Sequence, residues 1–241
     1  MVAVSGYIAK AKTWRAWTKD WNLHKRKVPA GRRPIKVYHA TDCANYRGEF
    51  DGWTKEERDP YVAQLLPVIP THQMAGIVIG INLVELDKVF RQYAELVEMF
   101  GTPYTACFQW AISIIVDIAT QHGSGQRMAF VHEVNDYKGE CLKAFEYIDT
   151  YLNPRKIPMT MSFGSKEQYS PLQAADVLAY EGGKFLKNID KPRRAWTALD
   201  PDKTRLIVRR YGEDNMTEMV KLLTDFRKSL LASGWDGMVV I

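Results

Sequence analysis

Short β-branched runs alternate with amphipathic segments along most of this chain, and that rhythm constrains the fold more than any single motif. Val2–Ala9 (VAVSGYIA), Ile35–His39, Gly76–Ile81 (GIVIGI), Met128–His132 and Ile157–Phe163 read as strands. GIVIGI carries no charge, the pattern of a central strand covered on both faces. Between the strands lie helical segments with recognisable ends. Thr54 with Glu57 forms a capping box, Asn82 with Glu85 opens a helix closed by Gly101, and Thr102–Pro103 supplies the N-cap and first position of a helix ending near Gly123. Pro60 and Pro67 are expected to break or shift the helix after Thr54. Tyr137–Leu152 and Pro171–Lys187 follow as helices. The expected fold is α/β, a largely wound sheet with helical covers in one domain over residues 1–188. Residues 189–241 are expected to add a basic loop and a C-terminal helix (Met216–Ala232) packed on the same domain.

The chain has 241 residues, 46% of them apolar and 25% charged, enough to bury a sizeable core. Cys43, Cys107 and Cys141 are too far apart for a CxxC metal pair or a disulfide framework, and they fit a reducing, cytoplasmic compartment. The most apolar segment, Ala106–Ala119, is interrupted by Gln109, Ser113 and Asp117 and falls short of the ~18 residues of a membrane span, so it reads as a buried helix. No membrane partner is expected.

Charge is distributed unevenly about a net +5. Residues 10–36 hold ten Lys/Arg against Asp20, and residues 184–210 hold nine against three acids, which leaves the remainder at −10. Basic flanks around an acidic middle suit a polyanion gripped by its phosphates; they equally describe a solvated surface. In the helix beginning at Thr13, Trp14, Trp17 and Trp21 share one face, with Arg15, Lys19 and Lys25–Lys27 on the others. This helix either lies on nucleic acid or a protein partner, or turns its tryptophans into the core.

The sharpest helix start is Ser170–Pro171 with Gln173 as capping-box partner. Counted from it, Leu172, Ala175, Asp176, Ala179 and Gly183 form a stripe that faces Asp176 inward, where a carboxylate needs a cation, donors or a metal. Glu133 ends the strand MAFVHE at the edge where open α/β sheets place their sites, on the face of Ala129 and Val131. Asp42 in YHATD is either a third carboxylate or the start of an Asx turn, and Lys166 in FGSKEQYS can reach a phosphate or the acids.

Together the segments VSGYIAKAKTWRAW, YHATDCANYRGEFDGWTKEER, FVHE and FGSKEQYSPLQAADVLAYE resemble the domain-of-unknown-function family 3800 (DUF3800), a ribonuclease-H-like family of bacterial and phage proteins. The resemblance covers about Val2–Lys187. It implies a ribonuclease-H-like mixed sheet flanked by helices and a nuclease-type site binding Mg²⁺ or Mn²⁺ through carboxylates. Residue by residue it implies Gln173 and Asp176 as the Gln-x-x-Asp pair, Glu133 as the strand-end acid, Lys166 as the loop lysine, and His39 with Asp42 as the His-x-x-Asp segment. Catalytic roles then fall to Asp176, Glu133, Asp42 and Lys166, metal binding to Asp176 and Glu133, and substrate contacts to His39, Gln173, Arg15, Lys19 and Lys25. The family's first strand, with its Asp-Glu-Ser motif, precedes the segment matched by VAVSGYIA and is missing from this sequence. The expected activity is metal-dependent hydrolysis of DNA or RNA; the alternative is a non-catalytic nucleic-acid-binding or protein-interaction protein of the same fold.

Overall fold

Strand β2 (Ala75–Ile81) contains the uncharged run, and Gly76–Ile81 are all buried. It lies at the centre of a three-stranded sheet in the order β1-β2-β5. β1 (Val2–Ile8) pairs with it antiparallel, from Val2 opposite Ile81 to Ile8 opposite Ala75. β5 (Leu206–Tyr211) pairs with it in parallel, from Gly76 opposite Leu206 to Ile81 opposite Tyr211. A second sheet holds β3 (Met128–Glu133) and β4 (Met159–Gly164), parallel and in register from Met128 opposite Met159 to Glu133 opposite Gly164. The computed structural model describes residues 1–93, 101–122, 127–199 and 206–218. The fold is mixed α/β: small sheets flanked by helices.

Side-chain alternation gives each sheet two faces. On one face of the first sheet, Ala3, Tyr7 and Val78 meet helices α1 (Ala11–Lys25) and α7 (Pro171–Lys187) through Trp17, Trp21, Ala174, Val177 and Leu178. On the other, Val4, Ile77, Ile79 and Ile81 meet α4 (Leu83–Gln92) and α5 (Pro103–His122). α5 serves both sheets. Ala106, Cys107, Ala111 and Ile115 face the first, while Phe108, Ile112 and Val116 pack with α6 (Lys138–Tyr151) beneath Met128, Phe130, Met159 and Met161. Val4 joins that second cluster, so β1 and β3 share one helical floor without being hydrogen-bonded to each other. Every residue of β1 is only half-buried although helices cover both its faces, the signature of a strand paired along a single edge among the described residues.

Several expectations are corrected. Trp17 and Trp21 are fully buried and stack with ring centroids 5.1 Å apart, and Trp14 packs edge-on against Trp17, so the tryptophan face is core and not a docking surface. Ile35–His39 is irregular. Its amides bond side-chain acceptors instead of a ladder: Lys36 N–H and Val37 N–H donate to Glu49 at 2.6 and 2.7 Å, and Tyr38 N–H donates to Gln173 at 3.1 Å. Short α2 (Ala40–Asn45) follows at once. α3 (Lys55–Leu65) continues through Pro60, with the Thr54–Glu57 capping box formed, and Pro67 lies in a 3₁₀ turn. The segment after residue 188 is no mere appendage. LIVRRY is β5, and α8 (Arg194–Leu199) adds Trp196 and Leu199 to the core. Residues 213–218 are helical, and the rest of the expected C-terminal helix lies outside the described residues, as does the end of the helix after Asn82.

Ala106–Ala119 lies within α5 as expected, and among the described residues no helix is long and apolar enough to cross a membrane. Cys43, Cys107 and Cys141 are buried free thiols, and burial raises Cys107 to about 12.

Candidate active site

Three residues, from a strand end, a loop and a helix, meet on the ammonium of a fourth. Lys166, in the turn between β4 and α7, is 7% exposed. Its ammonium lies 3.0 Å from Glu133 Oε1 and 3.1 Å from Asp176 Oδ1, and it donates to His39 Nδ1 at 3.2 Å. The two carboxylates therefore approach within about 6 Å of each other. Asp176 Oδ2 accepts from the backbone N–H of Ala40 at 2.7 Å, so the first turn of α2 anchors the acid carried by α7.

Local structure explains each position. Glu133 is the last residue of β3, where pairing with Gly164 ends, and its side chain is 44% exposed. Alternation sends Met128, Phe130 and His132 into the core and leaves Ala129 and Val131 exposed, so Glu133 belongs to the solvent-facing side and not to a shielded one. His132 is held inside by Tyr104 Oη at 3.0 Å, and burial lowers its pKa. On α7 the buried residues are Leu172, Gln173, Ala174, Val177, Leu178, Glu181, Gly182 and Leu186, not the expected stripe; Asp176 lies off that face, its side chain 20% exposed. Gly182 lets α7 approach the sheet, since a Cβ there would lie 2.8 Å from Val78 Cγ1.

Gln173 does not cap its helix. Ser170 is itself helical and makes no side-chain cap bond, while Gln173 is 1% exposed and gathers the interior. Its Oε1 accepts from Trp21 Nε1 at 2.9 Å, from Lys25 Nζ at 3.2 Å and from Tyr38 N–H; its Nε2 donates to the Lys166 carbonyl at 2.9 Å. The Gln173 amide thus holds the Lys166 turn, the approach to His39 and the end of α1 together, which is a structural role. Lys25 has the same fate: buried, its ammonium is spent on the Lys36 carbonyl and Gln173, and desolvation lowers its pKa. Neither residue is open to a substrate. Arg15 and Lys19 are exposed on α1 and take no part in the bonds of the cluster. Asp42 also stays outside. Its Oδ2 lies 2.8 Å from where a Cβ of Gly48 would stand, a place that left-handed Gly48 (φ +57°) leaves free, and among the described residues no group of three or more His, Cys, Asp or Glu is placed to hold a metal ion.

Sequence reasoning missed two features. The Ala40 amide has no side-chain signature. Glu181, one turn beyond Val177, is buried at 5% exposure with Oε2 unbonded and Oε1 3.4 Å from Arg193. Desolvation raises its pKa despite that cation. An acid whose folded-state pKa exceeds the unfolded value destabilises the fold as pH rises between the two. Glu181→Gln is accordingly expected to raise the melting temperature at neutral pH, with the gain vanishing below about pH 4, where the unfolded carboxyl is protonated as well. Thermal melts of both proteins across pH 3–8 (approximate range) test this, and a constant difference across that range contradicts it.

No protein-family model, curated protein or solved structure matches the chain.

Proposed function

We propose that this protein is a metal-dependent nuclease whose acids are Asp176 and Glu133. The observation that carries the reading is the position of Lys166, a nearly buried cation held between two carboxylates at the exposed end of β3. Two acids facing one cation form a site for positive charge that opens to solvent on the Glu133 side. The resemblance noted in the sequence names the same residues.

One Mg²⁺ or Mn²⁺ fits this donor set, because Mg²⁺ commonly binds through one or two carboxylates and completes its shell with water and substrate phosphate oxygens. Asp176 and Glu133 would hold it. When bound, the ion supplies Lewis-acid polarisation of the phosphate and a more acidic water. A two-ion arrangement needs more acids than meet here.

The remaining work falls to the chain's own groups. Lys166 would donate to a phosphate oxygen and offset the charge that develops on it. His39 Nδ1 keeps the ammonium aimed, and the Ala40 amide fixes one oxygen of Asp176 so that the other faces the site. Lys166 also favours a second reading: by neutralising both acids it suits a protein that binds nucleic acid without cutting it. Calorimetric titration with Mn²⁺ separates the two. Saturable binding that weakens at least ~10-fold in Asp176→Asn and in Glu133→Gln is expected. A flat titration of the unmodified protein would remove the metal-dependent reading.

A further inference from the structure

Asp176, Tyr180 and Lys184 lie at i, i+4 and i+8 on α7, in line along one face of the helix. Tyr180 is half-buried against the core. Two cations sit over its ring: Lys184 Nζ is 5.4 Å from the centroid and Arg193 Cζ 5.5 Å. Both side chains are exposed. Two like charges on one ring repel each other, so something must hold them. The electron-rich face of Tyr180 attracts both. Glu181 adds a contact to Arg193 at 3.4 Å from below, which leaves most of the guanidinium fork facing solvent, with that side chain 47% exposed. The negative end of the helix dipole accounts for Lys184 and Lys187 in the last turns of α7. It does not account for Arg193, which comes from beyond the helix and folds back onto the ring. Lys187, Lys191 and Arg194 extend the patch, and Asp190 is its one acid between residues 184 and 194.

Eight residues of helix place Lys184 about 12 Å along the axis from Asp176. The same strip of α7 therefore carries the acid cluster at one end and a paired-cation platform at the other. Its inner side is committed to Val78, Trp196 and the core, so a ligand meets α7 along its exposed strip. A single backbone laid along the exposed strip meets both ends.

We infer that Lys184 and Arg193, seated on Tyr180, form a phosphate-binding subsite that grips one strand of single-stranded nucleic acid and leads it to Lys166, Asp176 and Glu133. This rests on the nuclease reading for what happens at the far end, but the grip itself requires no metal and no cleavage.

The test is fluorescence anisotropy with a labelled single-stranded oligonucleotide of mixed sequence, in EDTA, over a range of salt concentrations. A blunt duplex of the same sequence and inorganic phosphate serve as competitors. Each phosphate contact by a cation contributes a slope of about 0.7 to the dependence of log K on log salt for single strands. The Lys184→Ala variant is expected to lose about 0.7 of that slope and Lys184→Ala/Arg193→Ala about 1.4, with affinity at low salt falling ~10-fold or more. Among the described residues Lys184 makes no ion pair, so its single variant is informative even if exposing Glu181 unsettles the double one. Unlabelled single strand should compete better than duplex, and inorganic phosphate only weakly. Slopes equal to those of the unmodified protein, or competition by duplex equal to that by single strand, overturn the inference. Failure here is distinguishable from failure of the nuclease reading. Loss of slope without cleavage keeps the subsite and rejects the nuclease; cleavage with unaltered slopes does the reverse.

Discussion

Lys166→Met is expected to cost about 3 kcal/mol in the absence of divalent cations, and Mn²⁺ is expected to recover part of that loss. Removing one partner of a buried ion pair typically costs about 3–5 kcal/mol, because the partner charge is left uncompensated. Here two carboxylates lose their shared cation. The lower end of the range applies since Glu133 is 44% exposed and water can take up part of its charge. For a chain of this size the change corresponds to a melting temperature lower by roughly 6–12 °C. A divalent ion that binds only the folded protein would then stabilise it by mass action, and on the proposed reading the freed pair of acids is expected to bind it more tightly than the pair held by lysine. Thermal melts with and without Mn²⁺ read both effects. If the variant melts like the unmodified protein, the cluster does not bear on the fold; if Mn²⁺ leaves its melting temperature where metal-free buffer puts it, the acids are not a cation site.

The second large effect concerns the core. Trp17→Ala is expected to cost about 4 kcal/mol, within the range for truncating a buried Trp, because the ring is fully buried and stacked on Trp21. Trp14→Ala, only half-buried, should cost clearly less. The ordering matters more than either number. Were the tryptophan face an interface for a partner, Trp17→Ala would leave the melting temperature near that of the unmodified protein, and equilibrium denaturation of the two variants decides between these outcomes.

The layout of the fold was legible wherever local pattern and tertiary environment agree. GIVIGI became the central strand, and the caps at Asn82 and Thr102 formed, with Asn82 accepting from Val84 N–H and Thr102 Oγ1 from Thr105 N–H. Ile35–His39 was misread because side chains satisfy its amides in place of a neighbouring strand: Glu49 takes those of Lys36 and Val37, and Gln173, 135 residues away, takes that of Tyr38. The same long-range bonding concealed the role of Gln173, whose place three residues after Ser170 looks like a cap. LIVRRY follows a polar, Pro-containing stretch of sequence and carries two arginines before its last residue, which hid a strand that pairs with β2.

At the site, the identities of Asp176, Glu133, Lys166 and His39 followed from helix start, strand end and resemblance, and these four are the residues brought together. Their environments were less accessible. Periodicity turned Asp176 fully inward by choosing small residues as the buried face, whereas larger Val177 and Leu178 take that face and Gly182 makes the close approach. Nor does spacing show that a loop lysine is buried; that requires the Gln173 amide holding its carbonyl from behind.

The central claim is that Asp176 and Glu133 support hydrolysis of a phosphodiester with a divalent ion. Its most direct measurement is cleavage of a labelled single-stranded oligonucleotide by the purified protein, with Mn²⁺ or with EDTA, beside Asp176→Asn. The account predicts Mn²⁺-dependent cleavage that falls by at least ~10²-fold in Asp176→Asn, a substitution that keeps an oxygen for the Ala40 amide while removing the charge. Cleavage that proceeds equally in EDTA, or unchanged in Asp176→Asn, would contradict it.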